Sequence, residues 1–363
     1  MPKVTIVQVI YNNKKFIEPV FNAIFNQTFK DFNVVAVISG NDDGGKELLM
    51  QKFPQVEIID PGYNIGFAAG HNLVFEKYGN LSGNVKGDPL HSLHLADFFQ
   101  LVNPDMIMQP NYIEEMLKVF ADPKVGAATG KLYQVSGDKL QVTGDRFNEL
   151  KPTFKTLDTT GVTIAKSGRA KDRGQHEVDE GQYDVLTEVD AVSGAGCMYR
   201  RSALEAVKIQ RISDKLQVTS HGNGAVPVTS NLLPVTNFEY FDESFHSYWE
   251  DVDLSWRMKN KGWKNVFAPK AIGYHGRAAG SSRGGYLHIV DFIKHHRQLS
   301  PFVRQLNYKN HILMYLKNSK HIYPQFLIRE FFMFWYILIF EPSTLKVVPK
   351  MLKLLPKIWV REK

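Results

Sequence analysis

The 363-residue sequence contains one cysteine, Cys197. No internal disulfide can form, so the fold must rest on its apolar core, and this usage fits a reducing, cytosolic setting. Long hydrophobic runs are scarce too. Phe331 to Phe340 (FFMFWYILIF) is continuously apolar, but Arg329-Glu330 precede it and Glu341-Pro342 close it. It falls far short of the ~20 residues that span a bilayer. Near the N-terminus, one lysine and the run Val4 to Tyr11 are too short and too strand-like for a secretory signal. The charge balance is mild, with net charge +7, and no recognised nucleic-acid-binding motif occurs, so no nucleic-acid partner is expected. The dinucleotide fingerprint is missing as well, because Gly66 and Gly70 are spaced too widely for it.

What is present is an ordinary globular composition, 44% hydrophobic and 22% charged. The length suits one large α/β domain with a C-terminal extension, or two domains. The β-branched run Val4 to Ile10 predicts a strand that Tyr11-Asn12-Asn13 ends as a turn. Helical spacing follows over 15–27, a buried strand over Asn33 to Ile38, a helix over Glu47 to Phe53 and a third strand over Val56 to Ile59. Such alternation implies a mainly parallel sheet flanked by helices, with ligands bound at the carboxyl ends of the strands. Asn64 to Asn72 opens the next helix, and its two glycines serve either close approach to a ligand or helix–sheet packing. His94 to Val102 predicts a strand running into Asn103-Pro104-Asp105, so Asp105 lies just past a carboxyl end. A carboxylate there suits a hard divalent cation held against phosphate oxygens, although NPD is also an ordinary turn.

Further on, Tyr112 to Phe120 reads as a helix and Val125 to Leu132 as a strand. Residues 151–182 form a polar, turn-rich stretch in which Arg169, Lys171 and Arg173 are either a solvated loop or a clamp for phosphate or acceptor. Val185 to Val192 reads as a strand leading into Ser193-Gly194-Ala195-Gly196. The stretches 79–94 and 209–240 read as long loops.

The chemistry concentrates in Phe245 to Arg277. Glu250, Asp251 and Asp253 come first, Lys259 and Lys261 last, and Gly262 as the stop. That is the charge order of a short helix with an acidic pair at its N-terminus. Backbone N–H groups there are expected to keep a carboxylate ionised near pH 7. Val266 to Ala268 predicts a strand that Pro269 ends, with His275 in a Gly-bounded turn. In the tail, Lys346, Lys350, Lys353, Lys357 and Arg361 recur every three or four residues, with Trp359 near the end. A basic amphipathic segment of this kind suits a membrane surface, or packing on the domain or a dimer partner. Pro349 and Pro356 are expected to break it into short pieces. A chain cut after Leu316 is expected to leave the membrane and keep activity on a small acceptor.

Six stretches in order carry a resemblance: VTIVQVIYNN, NIGFAAGHN, LVNPDMIM, DTTGVTIAKSGRAKDRGQ, VSGAGCMYRRSALE and YWEDVDLSWRMKNKGWKNVFAPKAIGYHGR. The chain resembles a family 2 glycosyltransferase of the GT-A fold, in particular bacterial rhamnosyltransferase-like members that build cell-surface polysaccharide. The resemblance implies a catalytic domain over residues 1–290, with a nucleotide-binding half at 1–105 and an acceptor half at 106–290; the tail's own pattern, which the resemblance does not cover, adds a membrane-associating helical extension at 291–363. The resemblance implies an inverting transfer from a dTDP- or UDP-linked sugar to a glycan or lipid-linked glycan acceptor, and the basic tail is expected to hold the protein on the cytoplasmic face of the membrane. Asp251, paired with Glu250, takes the position of the catalytic base. Asp105 and His275 take those of the ligands to a divalent cation, Mg2+ or Mn2+. Tyr11, Asn64, Gly66, Asn103, Asp105, Ser193 and Gly194 match the nucleotide-sugar pocket. The chain departs from the family after the second strand, where Ser39-Gly40-Asn41-Asp42-Asp43 stands in place of an aspartate that holds the base. A sugar nucleotidyltransferase would need a Gly- and Arg-rich loop after the first strand, which YNNKKF does not supply. A non-catalytic nucleotide-sugar or membrane-binding protein would not need Asp105, Asp251 and His275 together.

Overall fold

Val4–Ile10 forms β1, buried along its whole length because helices cover both faces of the sheet at this point. The computed structural model describes residues 3–40, 43–79, 95–135, 137–140, 154–211, 237–276, 293 and 296–361. Most of the loops expected at 79–94 and 209–240, Asn41, Asp42, Arg277 and the side chains of Trp359 and Arg361 lie outside the described residues.

After β1 come α1 (Lys14–Phe25), β2 (Phe32–Ile38), α2 (Gly45–Lys52), β3 (Glu57–Ile59), α3 (Gly66–Gly79), β4 (Phe98–Leu101), β5 (Met106–Met108) and α4 (Tyr112–Val119). The middle of the chain gives β6 (Val125–Gln134), α5 (Gly137–Leu140), β7 (Leu157–Thr159), β8 (Val162–Ile164), β9 (Ala170–Asp172), β10 (Thr187–Val189) and β11 (Cys197–Arg200). There follow α6 (Arg201–Val207), β12 (Ile209–Gln210), β13 (Phe238–Glu239), α7 (Glu250–Asn260), β14 (Lys264–His275), α8 (Pro301–Asn318), α9 (Pro324–Phe340) and α10 (Val348–Arg361).

The central sheet runs β10-β14-β6-β11-β4-β1-β2-β3, with β5 on β14 and β7 on β6. Its β3-β2-β1-β4 half is parallel, as expected. The other half is mixed, because β11 lies antiparallel between β4 and β6 while β14 runs parallel to β6. Alternation along β1 sends Val4, Ile6 and Ile10 to a core shared with α1 and α4. Val7 and Val9 go to a second core shared with α3, α6 and α7.

Three local expectations fail. Pro269 does not end its strand. β14 continues to His275, with the register shifting between Ala268 and Ile272. An irregularity in the ladder is where a strand proline is tolerated, since no partner then needs its missing N–H. His275 therefore sits on the end of a strand rather than in a turn. The strand expected at Val185 to Val192 shrinks to Thr187–Val189, with Val185 and Leu186 exposed. Finally, α10 runs unbroken past Pro356, and Pro349 stands in its first turn, where its missing N–H costs nothing.

A third, smaller core joins Phe245 and Val252 to Ile312, Leu313 and Met314 of α8 and Met351 of α10. Helix α8 packs on α7 through polar anchors too. Lys317 is fully buried between Asp242 (3.0 Å) and Asp253 (2.8 Å), and Asn318 donates to Asp253 at 2.8 Å. A cut after Leu316 would thus remove Lys317 from both carboxylates and Asn318 from Asp253, a loss to the fold apart from any effect at a membrane. On α9, Phe331, Phe332, Trp335 and Ile339 stay exposed. Among the described residues no single helix is long and apolar enough to cross a membrane. Helix α9 and the stretch after it meet at a bend of 115°.

Candidate active site

A cleft of about 760 Å³ opens at the carboxyl ends of the central strands. Its floor starts where β1 and β2 stop. Tyr11 is half exposed at the end of β1, and Ser39 is buried at the end of β2. The Ser39 hydroxyl donates to Asn64 Oδ1 at 3.1 Å and accepts from the amides of Ile65 (3.1 Å) and Gly66 (3.2 Å). Asn64 Oδ1 also accepts from the Gly66 amide at 2.9 Å. Gly66 has φ +83°, and a Cβ there would lie 2.4 Å from His246 Nδ1. Only glycine fits both the backbone and the space.

Asn103, Pro104 and Asp105 form one wall. Asn103 is tied to the 193–196 loop by its amide, which donates to the Ala195 carbonyl at 2.8 Å. Asp105 and His275 are both buried, and His275 Nε2 lies 3.2 Å from Asp105 Oδ1. On the other side of the ring, Nδ1 lies 2.9 Å from Asp158 Oδ2, on buried β7. Burial works against a charged ring, but the two carboxylates together outweigh it and raise the His275 pKa to about 10. Among the described residues no group of three or more His, Cys, Asp or Glu side chains forms a metal site by itself.

Facing this wall, Asp251 occupies the first turn of α7. The Gly194 amide donates to its Oδ2 at 2.7 Å and the Val252 amide to its Oδ1 at 2.8 Å. A Cβ on Gly194 would stand 3.1 Å from Asp251 Oδ2, so glycine allows this approach. Burial still dominates over both amides. With a lesser contribution from Asp172 it raises the Asp251 pKa to about 6, rather than lowering it as the helix N-terminus alone would. Glu250 is buried beside it, and burial plus the neighbouring Asp251 push its pKa well above the usual carboxylate range. Both shifts run upward, against the expectation that the helix N-terminus would favour the ionised form. Asp253 faces away, paired with Arg257 at 2.9 Å and with Lys317.

The remaining walls come from the β8–β9 hairpin, through Lys171 and Asp172, from the turn at 246–249, and from Phe302, Leu306 and Asn307 of α8. His246, Tyr248 and Trp249 all have positive φ, 65°, 68° and 74°. Left-handed backbone at non-glycine residues costs ~1–3 kcal/mol each, and such strain clusters at functional sites.

The family model "Glycosyltransferase like family 2" matches residues 2–289, most of the chain and every wall of the cleft except α8. The chain belongs to this glycosyltransferase family. The N-acetylglucosaminyl-diphospho-decaprenol L-rhamnosyltransferase of Mycobacterium tuberculosis is 23% identical to this glycosyltransferase over 299 residues. That alignment covers 82% of this chain and 83% of the relative. The crystal structure of GalNAc-T7 with UDP, GalNAc and Mn2+ superposes with TM-score 0.50 at 8% identity, over 87% of this chain and 48% of that one. The glycosyltransferase thus spans about half the length of that solved chain, and the likeness is one of fold, the GT-A type. A mannosyltransferase from Pyrobaculum calidifontis, in complex with GDP-Man and Mn2+, has TM-score 0.45 at 15% identity, covering 97% of this chain and 74% of that one.

In this glycosyltransferase the structure brings Tyr11, Asn64, Gly66, Asn103, Asp105, Ser193, Gly194, Glu250, Asp251 and His275 to one cleft. Sequence reasoning gave no role to Asp158, although it opens one of the six matching stretches. It missed Ser39 as the brace of the 64–66 loop and the α8 residues altogether. Of the basic cluster, Lys171 lines the cleft, whereas Arg173 donates to the Thr160 carbonyl and lies over the rings of Tyr183 and Phe267.

Proposed function

We propose that the protein is an inverting glycosyltransferase that moves rhamnose or another hexose from a dTDP- or UDP-linked donor to a hydroxyl of a polysaccharide or lipid-linked glycan. One observation carries the reading: a carboxylate oriented by two backbone amides, Asp251, opens on the same cleft as the Asp105–His275 pair. Asp251 takes the proton from the acceptor hydroxyl while that oxygen bonds to the anomeric carbon and the bond to the diphosphate breaks. Its raised pKa suits a general base working near neutral pH. One base and one cation suffice, with no carboxylate nucleophile required, so a single displacement inverts the anomeric centre.

The donor set fits a divalent cation completed by diphosphate oxygens. Asp105 offers a carboxylate, and Asp158 holds His275 by Nδ1, so that a cation displacing the Nε2 proton would find that nitrogen beside the carboxylate. Mg2+ or Mn2+ held there would neutralise charge on the leaving diphosphate. Asn64 and Gly66, braced by Ser39, line the donor end.

The mycobacterial relative, named for a diphospho-decaprenol acceptor, supports a lipid-linked acceptor here. The exposed aromatic face of α9 and the lysines of the adjoining stretch, Lys346, Lys350, Lys353 and Lys357, support docking on an anionic membrane surface from the cytoplasmic side. The test is release of nucleoside diphosphate from dTDP- and UDP-sugars, with and without Mn2+ and a lipid-linked acceptor. Formation of new nucleotide sugar instead would identify a nucleotidyltransferase. Binding without turnover on any acceptor would identify a non-catalytic binding protein.

A further inference from the structure

We infer that Asn310, on α8 and outside the family-matched residues, is a positioning residue that holds the 246–249 turn and thereby seats Asp251. The inference rests on the reading of Asp251 as the base. Asn310 is fully buried. Its Nδ2 lies 3.0 Å from the carbonyl oxygen of Phe245, 2.9 Å from that of Ser247 and 2.8 Å from that of Tyr248. Two N–H bonds serve three carbonyls. Three acceptors around one atom also identify it as the amide nitrogen, since an oxygen there would face three oxygens. Asn310 Oδ1, in contrast, is buried with no partner among the described residues. An unpaired acceptor works against folding, so the position is explained by its donors rather than by general stability.

The carbonyls it gathers belong to the strained turn. Three left-handed non-glycine residues, His246, Tyr248 and Trp249, need an outside tether to keep that path. Helix α8 supplies two more tethers to the stretch 244–249. Asn307 Oδ1 accepts from Trp249 Nε1 at 3.0 Å, and Lys309 Nζ donates to the Ser244 carbonyl. Trp249 is the N-cap of α7, and Asp251 is the second residue of that helix. A turn that relaxes moves the first turn of α7 against the Gly194 amide and the Asp105 wall. The far end of α7 is held separately, by Asn260 Nδ2 on the Asn318 carbonyl at 2.9 Å.

The test uses the full-length protein. Asn310→Leu keeps the volume and removes the donors. Asn310→Ala leaves room for water on one carbonyl and keeps the test open if the leucine variant does not fold. Asn260→Ala breaks an α7–α8 bond remote from the turn and serves as control. Turnover is read as diphosphate release from whichever of dTDP-rhamnose and UDP-glucose the wild type uses, below the melting temperature of each variant. Donor-site binding is read by titration with dTDP or UDP plus Mn2+. Amide hydrogen exchange of the peptide covering 245–252 needs no substrate. A misplaced catalytic group costs turnover rather than binding, so Asn310→Leu is expected to lower kcat about tenfold or more, with donor KM and diphosphate Kd within about threefold. Exchange rises over 245–252, the alanine variant falls between, and Asn260→Ala keeps its kcat. Unchanged kcat and exchange in both Asn310 variants would overturn the inference. So would equal losses of kcat in Asn260→Ala at a matched fall in melting temperature. Asp251→Asn, run alongside, separates the two readings: if it is inactive while Asn310→Leu turns over normally, only the positioning role fails. If Asp251→Asn turns over normally, the base assignment fails and the positioning role with it.

Discussion

Asp251→Asn is expected to remove most transfer while leaving the fold about as stable as before. In the folded protein the carboxyl pKa rises from the ordinary 3.8 to about 6, chiefly by burial, against the pull of the Gly194 and Val252 amides. The folded state therefore holds this proton more tightly than the unfolded state does. Its contribution to stability is full below pH 3.8 and is lost as pH rises through about 6. Keeping the group ionised at pH 7 costs about 3 kcal/mol at most, a figure that its opening toward the cleft reduces. Asparagine removes that cost. It also leaves one of the two amides facing an NH2 group, since only one of its polar atoms accepts, a loss of roughly 1.5–3 kcal/mol. The two effects nearly cancel, so the melting temperature should move by only a few degrees. Turnover should fall on the order of 10²-fold or more, because the amide cannot take the proton. In the wild type, kcat/KM should drop about tenfold per pH unit below pH about 6, and the variant should lack this acid limb. Diphosphate release at saturating acceptor, pH profiles and thermal melts check all three. Near-wild-type turnover in Asp251→Asn would refute the assignment. The role would then pass to Glu250, since Asp253 is committed to Arg257 and Lys317.

Asp105→Ala and His275→Ala are each expected to erase the gain in nucleoside diphosphate affinity brought by Mn2+, measured calorimetrically; an unchanged gain removes that residue from the metal site. Asp158→Asn should weaken the Mn2+-dependent affinity about 10- to 100-fold, because Asp158 orients the His275 ring. Lys317→Met should destabilise the protein by about 3–5 kcal/mol, since it takes the buried cation away from Asp242 and leaves Asp253 with Arg257 alone; urea melts read the loss, and an unchanged midpoint refutes the pairing. Replacing Lys346, Lys353 and Lys357 together by Gln should weaken sedimentation with anionic vesicles roughly 100-fold, at ~1 kcal/mol per cation. Equal sedimentation of variant and wild type, or none by either, would reject the membrane reading.

Local rules sufficed wherever the deciding contacts lie close in sequence. The run Val4 to Ile10 had to be a buried strand, and acid first, base last and Gly262 as the stop had to give a helix like Glu250–Asn260. Asp105 had to stand past a strand end because Pro104 follows so closely on the apolar run. The order of six short stretches led to the family, and the positions that the family implied line one cleft. What the sequence by itself left open were properties set by burial and by distant partners. Glu250 and Asp253 look alike in sequence, yet one lines the cleft with its pKa pushed up by burial and the other is an ion-paired anchor, because Lys317 arrives from 64 residues away. Pro269 reads as a stop, but the pairing of β14 with β6 carries the strand past it to His275, which then meets Asp158 from 117 residues upstream. Helix α8 reads as part of a tail, and only its packing on α7 makes it a wall of the cleft. Proton affinity depends on desolvation, and desolvation depends on what the rest of the chain lays over a residue, so tertiary structure alone decides which carboxylate can act as a base.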